Sequence, residues 1–209
     1  MIQLVLADDH AIVRSGLKQL FAQEPDLRVV AEATNGADAM DCVRQHQPDL
    51  LLLDINMPGI SGPALIQRLK LQQPRLPILV LSMHNEPLMA SRTIKAGASG
   101  YVTKDSEPEV LIEAIRKVAA GGKFIAPALA AQMLFDNSDD SPDAPHTLLS
   151  DRELEIFRLL VTGKSATDIA AQLAISHKTV STHKTRLMEK LKLGSTAELT
   201  RYAMQHGLG

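Results

Sequence analysis

The first 120 residues alternate between two hydrophobic patterns. Short apolar runs fall at residues 2–7, 28–33, 50–54, 78–82 and 99–103. Runs of this length between turn signals read as strands, and the unbroken ones as strands buried on both faces. Between them, apolar residues recur at helical spacing, as with Val13, Leu17, Leu20 and Phe21 or Val110, Leu111, Ala114, Ile115 and Val118. This predicts helices over about 10–24, 37–46, 63–72, 87–96 and 107–120, punctuated by Pro25, Asn35 and Gly36, Pro48, Pro77, Gly97, and Gly121 and Gly122. Strand and helix alternating five times predict an α/β fold, a five-stranded doubly wound parallel sheet with right-handed crossovers.

The polar residues that close these strands matter more than the strands. Leu50 to Leu53 run without interruption into Asp54, followed by Ile55, Asn56, Met57, Pro58 and Gly59; the first strand runs into Asp8 and Asp9; the fourth ends at Ser82 and the fifth at Lys104. Taken alone, Asp54 reads equally well as an acid that caps the next turn. Together, these residues collect at one rim of one sheet, where open α/β folds bind their ligands. Three crowded carboxylates drive one another toward protonation unless a cation neutralises them. An all-oxygen set of this kind suits Mg²⁺, and a compact ammonium beside a hydroxyl suits a phosphoryl group. Asp54, alone at the central strand, is the candidate acceptor, while the adjacent Asp8 and Asp9 read as metal ligands.

The pattern changes after residue 121. Residues 123–135 have the spacing of one more helix, through Leu129, Met133 and Leu134. Residues 136–146 are acidic, broken by proline and free of large apolar side chains, which is the composition of an exposed linker. Beyond it, four helix-start signals follow in about sixty residues: Ser150 with Glu153, Ser165 with Asp168, Ser176, and Ser195 with Glu198. The third of these helices, about 177–191, turns Val180, Leu187 and Leu191 inward and shows Lys178, Thr179, Ser181, Thr182, Lys184, Thr185 and Arg186 on its other face. A short helix, a tight turn and a longer helix bearing cations and hydroxyls is the logic of a helix-turn-helix; a basic solvated face on a small bundle is the plainer alternative. The predicted organisation is a domain over 1–121, a linker with a possible helix over 122–146, and a small four-helix domain over 147–209.

Charge supports that division. Residues 1–146 hold 13 Lys and Arg against 18 Asp and Glu, a net of −5, and residues 147–209 hold 9 against 6, a net of +3. A basic second module fits a nucleic-acid partner. Aromatic residues are 3% of the chain with no Trp, which argues against stacking platforms for single strands. The single Cys42 excludes an internal disulfide framework and a cysteine-based zinc site. With no apolar run of membrane-spanning length and no basic leader, a cytoplasmic protein that does not enter the membrane is expected.

Asp8 and Asp9, Asp54 followed by Met57, Pro58 and Gly59, then Ser82, and Tyr101 three residues before Lys104 resemble the receiver domain of a bacterial two-component response regulator, a CheY-like fold. Residues 149–155, Ile169 and Ala170, and residues 176–183 resemble a LuxR-type helix-turn-helix, and the combination resembles the NarL/FixJ family. The resemblance implies that Asp54 takes a phosphoryl group from a sensor histidine kinase. It implies that Asp8, Asp9, the Asp54 carboxylate and the Asn56 carbonyl hold Mg²⁺, that Ser82 and Lys104 contact the phosphoryl oxygens, and that Tyr101 changes rotamer as Ser82 moves inward. Asn56 and His84 stand two residues after Asp54 and Ser82, where they would tune dephosphorylation. Asp105 stands where many receivers carry proline.

In the second domain, Ser181, Thr182 and Thr185 would approach bases of double-stranded DNA, and Lys178, Thr179 and Lys184 would touch phosphates. Leu199, Tyr202 and Ala203 on the last helix would form a dimer contact, with a homodimer formed on activation and RNA polymerase a further candidate partner. The expected function is transcription regulation by phosphorylation-dependent dimerisation and DNA binding, with catalysis confined to chemistry at Asp54. Two rivals remain: a phosphorylation-independent DNA-binding protein that uses the first domain as a dimerisation scaffold, and a Mg²⁺-dependent phosphohydrolase.

Overall fold

A computed structural model of the chain describes residues 1–83, 87–127, 129–131, 145–173, 175–206 and 208. The chain separates into two compact units, Met1–Asn137 and Ser138–Gly209. The division falls inside the acidic, proline-broken stretch.

In the first unit the elements run β1 (Ile2–Ala7), α1 (Ala11–Phe21), β2 (Leu27–Ala33), α2 (Gly36–His46), β3 (Leu50–Asp54), α3 (Gly62–Gln72), β4 (Ile78–Ser82), α4 (Pro87–Lys95), β5 (Gly100–Thr103), α5 (Pro108–Ala119) and β6 (Phe124–Ile125). All pairings are parallel, in the order β2-β1-β3-β4-β5-β6. β3 is central, and all five of its residues are buried. Alternation along the strands gives each face of the sheet its own core. Leu4, Leu6, Leu50, Leu52, Leu79, Leu81 and Val102 pack with Phe21 of α1 and with Leu111, Ile115 and Val118 of α5. Their neighbours Val5, Leu51, Leu53 and Val80 are buried on the opposite face. This double cover is why β3 and β4 read as continuous apolar runs rather than as alternating ones.

The order changes direction between β1 and β3. The register places Ala7 beside Leu53 and Asp54 beside Leu81, so residues 8–10 and 54 meet at this switch point, where the crevice of an open α/β sheet lies. The loop after β3 is held close against α2. Gly36, the first residue of α2, has no side chain because a Cβ there would lie 1.9 Å from the Ile60 carbonyl oxygen. Gly59, at φ 83°, supplies a left-handed turn in the same loop.

The sheet has six strands rather than the expected five. Phe124 and Ile125 begin the stretch that reads as a helix, yet they pair with Gly100 and Tyr101 at the open edge of β5. Glycine makes this approach feasible, because a Cβ on Gly100 would stand 2.7 Å from the Phe124 carbonyl oxygen. The sheet therefore continues past residue 121. Helical residues appear at 127 and 129–131, and the remainder of the expected helix lies outside the described residues.

The second unit contains a 3₁₀ turn (Pro145–Leu148), α6 (Asp151–Val161), α7 (Ala166–Gln172), α8 (His177–Leu191) and α9 (Thr196–Gln205). Each helix starts at the serine expected of it: Ser150, Ser165, Ser176 and Ser195 accept from the backbone N–H of Glu153, Asp168, Thr179 and Glu198. At Ser150 and Ser165 the acid returns the bond, completing a capping box. Leu154, Phe157, Ile169, Val180, Leu187, Leu191 and Leu199 are all buried. Among the described residues, no helix is long and apolar enough to cross a membrane.

Candidate functional site

At the carboxyl rim of the sheet, the Lys104 ammonium lies 2.7 Å from Asp8 Oδ2 and 2.8 Å from Asp54 Oδ2, with both carboxylates and the lysine side chain buried. β5 ends one residue before Lys104, whose backbone N–H donates to the Ser82 carbonyl at 2.7 Å, so the β4–β5 pairing delivers both residues to the pocket. Asp54 Oδ1 accepts from the Asn56 N–H at 3.0 Å. Asp8 Oδ1 accepts from the His10 N–H at 2.7 Å, and Arg14 clamps the Asp8 carbonyl at 2.7 Å. Asp8 Oδ2 is buried and has no hydrogen bond of good geometry, only the ion pair with Lys104.

The electrostatics follow from burial. Desolvation pushes the Asp54 carboxyl above its ordinary value, the Lys104 and Asn56 hydrogen bonds oppose this, and the Asp8 charge adds to it. For Lys104 burial pulls downward, but the hydrogen bond it donates to Asp54 and its close pairing with Asp8 outweigh it and the net shift is upward. Tyr101 is wholly buried and hydrogen-bonded to Ser82, and its phenol is pushed up to about 12 by burial, with the Ser82 bond opposing and the Asp54 charge adding. Two buried carboxylates thus share one ammonium, and Asp9 stands at the rim beside His10. Donor atoms of Asp8, Asp9, His10 and Asp54 all lie within 4.8 Å of one another. The excess negative charge and the oxygen donors fit a divalent cation.

The second unit carries a separate constellation. α7, a four-residue connection and α8 form the helix-turn-helix, with α8 buried along Val180, Leu187 and Leu191. Lys178, Thr182, Thr185 and Arg186 are exposed, while Thr179, Ser181 and Lys184 are half-buried. The Thr182 and Thr185 hydroxyls donate to the Lys178 and Ser181 carbonyls at 2.9 and 3.1 Å. Their protons are therefore committed to the helix, and their free lone pairs make them acceptors. Lys184 donates to Thr196 Oγ1 at 3.2 Å, which ties α8 to the start of α9.

Residues 4–116 match the family described as "Response regulator receiver domain", and residues 147–203 match "Bacterial regulatory proteins, luxR family". The chain belongs to the two-component response regulators. This response regulator joins a receiver to a LuxR-type DNA-binding domain and acts in transcription regulation. It is 35% identical over 208 residues to the response regulator GacA of Pseudomonas protegens, covering 100% of this chain and 98% of the relative. It is 34% identical over 209 residues to UvrY of Escherichia coli K12, covering 100% and 96%. Among solved structures, RcsB from Salmonella enterica serovar Typhimurium, bound to promoter P1flhDC in the presence of phosphomimetic BeF₃⁻, matches with a TM-score of 0.61 and 30% identity over 96% of this chain and 97% of that one. Another structure, with two RcsB dimers bound to two parallel DNAs, matches with a TM-score of 0.61 and 29% identity over 97% and 98%.

In this response regulator the structure gathers Asp8, Asp54 and Lys104 directly, with Asp9 at their rim and with Ser82 and Tyr101 bonded to each other beside them. His84 lies outside the described residues. Sequence reasoning missed His10, whose Nδ1 stands 2.8 Å from Asp9 Oδ1. Its position directly after two strand-end acids was the available signal. The residues expected to form a dimer contact lie at different depths on α9. Leu199 and Ala203 are wholly buried within the second unit, and half-buried Tyr202 bonds through its hydroxyl to His146 Nδ1 at 2.9 Å. Their apolar spacing marks the core side of α9. The solvent-exposed side of α9 includes Ala197, Arg201 and Met204.

Proposed function

We propose that Asp54 is the phosphoacceptor of this response regulator and that its phosphorylation controls DNA binding by the second unit. The observation that carries this is the placement of Asp54: a buried carboxylate at the end of the central strand, 2.8 Å from the Lys104 ammonium. One Asp54 oxygen attacks the phosphorus of a kinase phosphohistidine, the P–N bond breaks with its electron pair returning to the imidazole, and an acyl phosphate forms. Asp8, Asp9, the Asp54 carboxylate and the Asn56 carbonyl hold Mg²⁺, which when bound neutralises phosphoryl charge. Lys104, freed from its pairing with Asp54, follows the transferred oxygens, and Ser82 donates to another.

Ser82 is already bonded to Tyr101, so drawing it toward a phosphoryl group acts on a buried ring; the buried Tyr101 conformer is one end of that motion. The modified face favours a homodimer, and a coupling of about 1–3 kcal/mol suffices to shift the population. Lys178, Thr179 and Lys184 contact phosphates, and Ser181, Thr182 and Thr185 approach base edges in the major groove of double-stranded DNA. Two half-sites about 10 bp apart, or a multiple of that, match a two-fold dimer. The RcsB complexes with DNA support this reading, and a DNA-binding regulator of this family works in the cytoplasm.

Intact-mass spectrometry after treatment with a small-molecule phosphodonor and Mg²⁺ tests the acceptor. A single phosphoryl adduct, labile to hydroxylamine and missing from Asp54→Ala, is expected. An adduct of equal yield on Asp54→Ala refutes the assignment.

A further inference from the structure

β6 joins the sheet on the strand that carries Tyr101. Its two residues pair in register, Phe124 with Gly100 and Ile125 with Tyr101, and the Phe124 N–H donates to the Ser99 carbonyl at 3.1 Å. Paired residues of neighbouring strands stand about 4.8 Å apart and share a face of the sheet. Phe124 therefore enters the core it shares with Val102, Leu111, Ile115 and Val118, whereas Ile125 lies beside Tyr101 on the opposite face. The bare backbone of Gly100 permits the approach: a Cβ there would meet the Phe124 carbonyl oxygen at 2.7 Å, Leu79 Cδ1 at 2.8 Å and Val118 Cγ2 at 3.2 Å. Beyond Ile125 the chain enters a helical turn, in which the Ala130 N–H donates to the Ala126 carbonyl at 2.9 Å and Leu129 is wholly buried. The residues that lead into the linker are thus fastened before the acidic stretch begins.

We infer that β6 is a strap through which the conformation of Tyr101 sets where the linker leaves the receiver, and through the linker the DNA affinity of the second unit. The inference rests on the reading of Asp54 as phosphoacceptor and of Tyr101 as the residue that responds to it, and it names the element that carries the signal onward. Tyr101 is wholly buried and hydrogen-bonded to Ser82, so its ring cannot turn without changing the space beside Ile125. A close-packed core offers discrete arrangements rather than a continuous range. A strand of two residues has few ladder bonds, and such segments sit at the low-stability end of a fold. Ile125 is itself only half-buried, so a change at its neighbour suffices to seat the strap or to lift it. Lifting it lengthens the free tether to the second unit. Two DNA-binding units joined through paired receivers reach their half-sites at an effective concentration set by the length and stiffness of that tether.

The test uses full-length protein with and without Mg²⁺ and a small-molecule phosphodonor. In the wild type, hydrogen exchange in a peptide spanning residues 123–127 is expected to change by about threefold or more on phosphorylation, and to stay unchanged in Asp54→Ala. Gly100→Ala, which drives away the Phe124 carbonyl, is expected to raise exchange there in both states while taking up the phosphoryl group as the wild type does. Its phosphodonor-induced gain in DNA affinity should fall from about fivefold or more to less than about twofold. Ile125→Ala leaves the backbone pairing in place and opens space beside Tyr101, so it should keep its fold and its phosphoryl uptake and lose most of that gain. Exchange at 123–127 that is the same in phosphorylated and unphosphorylated wild type, or a full gain in either variant, overturns the strap and leaves the role of Asp54 standing. A wild type that takes up no phosphoryl group, or whose DNA affinity does not respond to it, removes the reading on which the strap rests, and both fall together.

Discussion

Lys104→Met keeps most of the aliphatic stem and removes the charge from a buried triad. In the wild type one ammonium neutralises two carboxylates at 2.7 and 2.8 Å, each with a side chain 1% exposed. Deleting one partner of such a pair costs about 3–5 kcal/mol, because it strands the other charge in a poor solvent. Here protonation of either acid relieves part of that penalty, so the expected loss at neutral pH is about 3 kcal/mol. With a urea slope near 2 kcal/mol/M, the receiver midpoint falls by roughly 1.5 M. Hydrogen-exchange mass spectrometry across a urea series reads β1–β5 peptides separately from α6–α9 peptides, so the two units do not blur each other. The pH dependence gives the sharper check. The Asp54 carboxyl is already raised by burial, so its ionised form weighs against folding as pH rises through its folded pKa. Removing Lys104 makes that worse. The penalty should therefore be greatest above the ordinary carboxylate range and shrink as pH falls through it. In the wild type, Lys104, raised by its partners, keeps its contribution until pH climbs past the ordinary lysine range. A penalty below about 0.5 kcal/mol, or one that does not shrink as pH falls through the ordinary carboxylate range, would refute this view of the pocket.

Other residues give independent expectations. Leu199→Ala should destabilise the second unit by about 2–5 kcal/mol through a core cavity, whereas Met204→Ala, 77% exposed, should leave its thermal midpoint unchanged; equal effects would contradict the burial of α9. Lys178→Ala should weaken binding to all DNA sequences alike and reduce the slope of log K against log salt by about 1, while Thr185→Ala should alter sequence preference and leave that slope alone. Gly36→Ala should cost about 1–3 kcal/mol by driving the Ile60 carbonyl away, and exchange should rise first in residues 55–62.

The receiver was legible because its strands are buried on both faces and its chemistry stands at strand ends. Leu50 to Leu53 ending in Asp54 marked both the central strand and the candidate acceptor in one stretch. The serine caps were equally readable, since each is a local bond across three residues. What escaped had a non-local cause. β6 is two residues long, and only the bare Gly100 backbone, far back in the sequence, makes room for it. Leu199 and Ala203 carry helical periodicity, but periodicity reports an apolar face without saying whether it meets the chain's own core or a second molecule. His10 looked like the first residue of α1, because its three carboxylate neighbours come together only once β1 and β3 pair.

The central claim is that phosphorylation at Asp54 governs DNA binding, and DNA affinity at fixed salt tests it most directly. Wild type and Asp54→Ala would be titrated with operator fragments selected from genomic DNA, each with and without Mg²⁺ and a small-molecule phosphodonor. Tighter binding by phosphodonor-treated wild type alone is the predicted result. Equal affinity in all four conditions would contradict it, leaving a DNA-binding protein whose acid pocket controls nothing at the promoter.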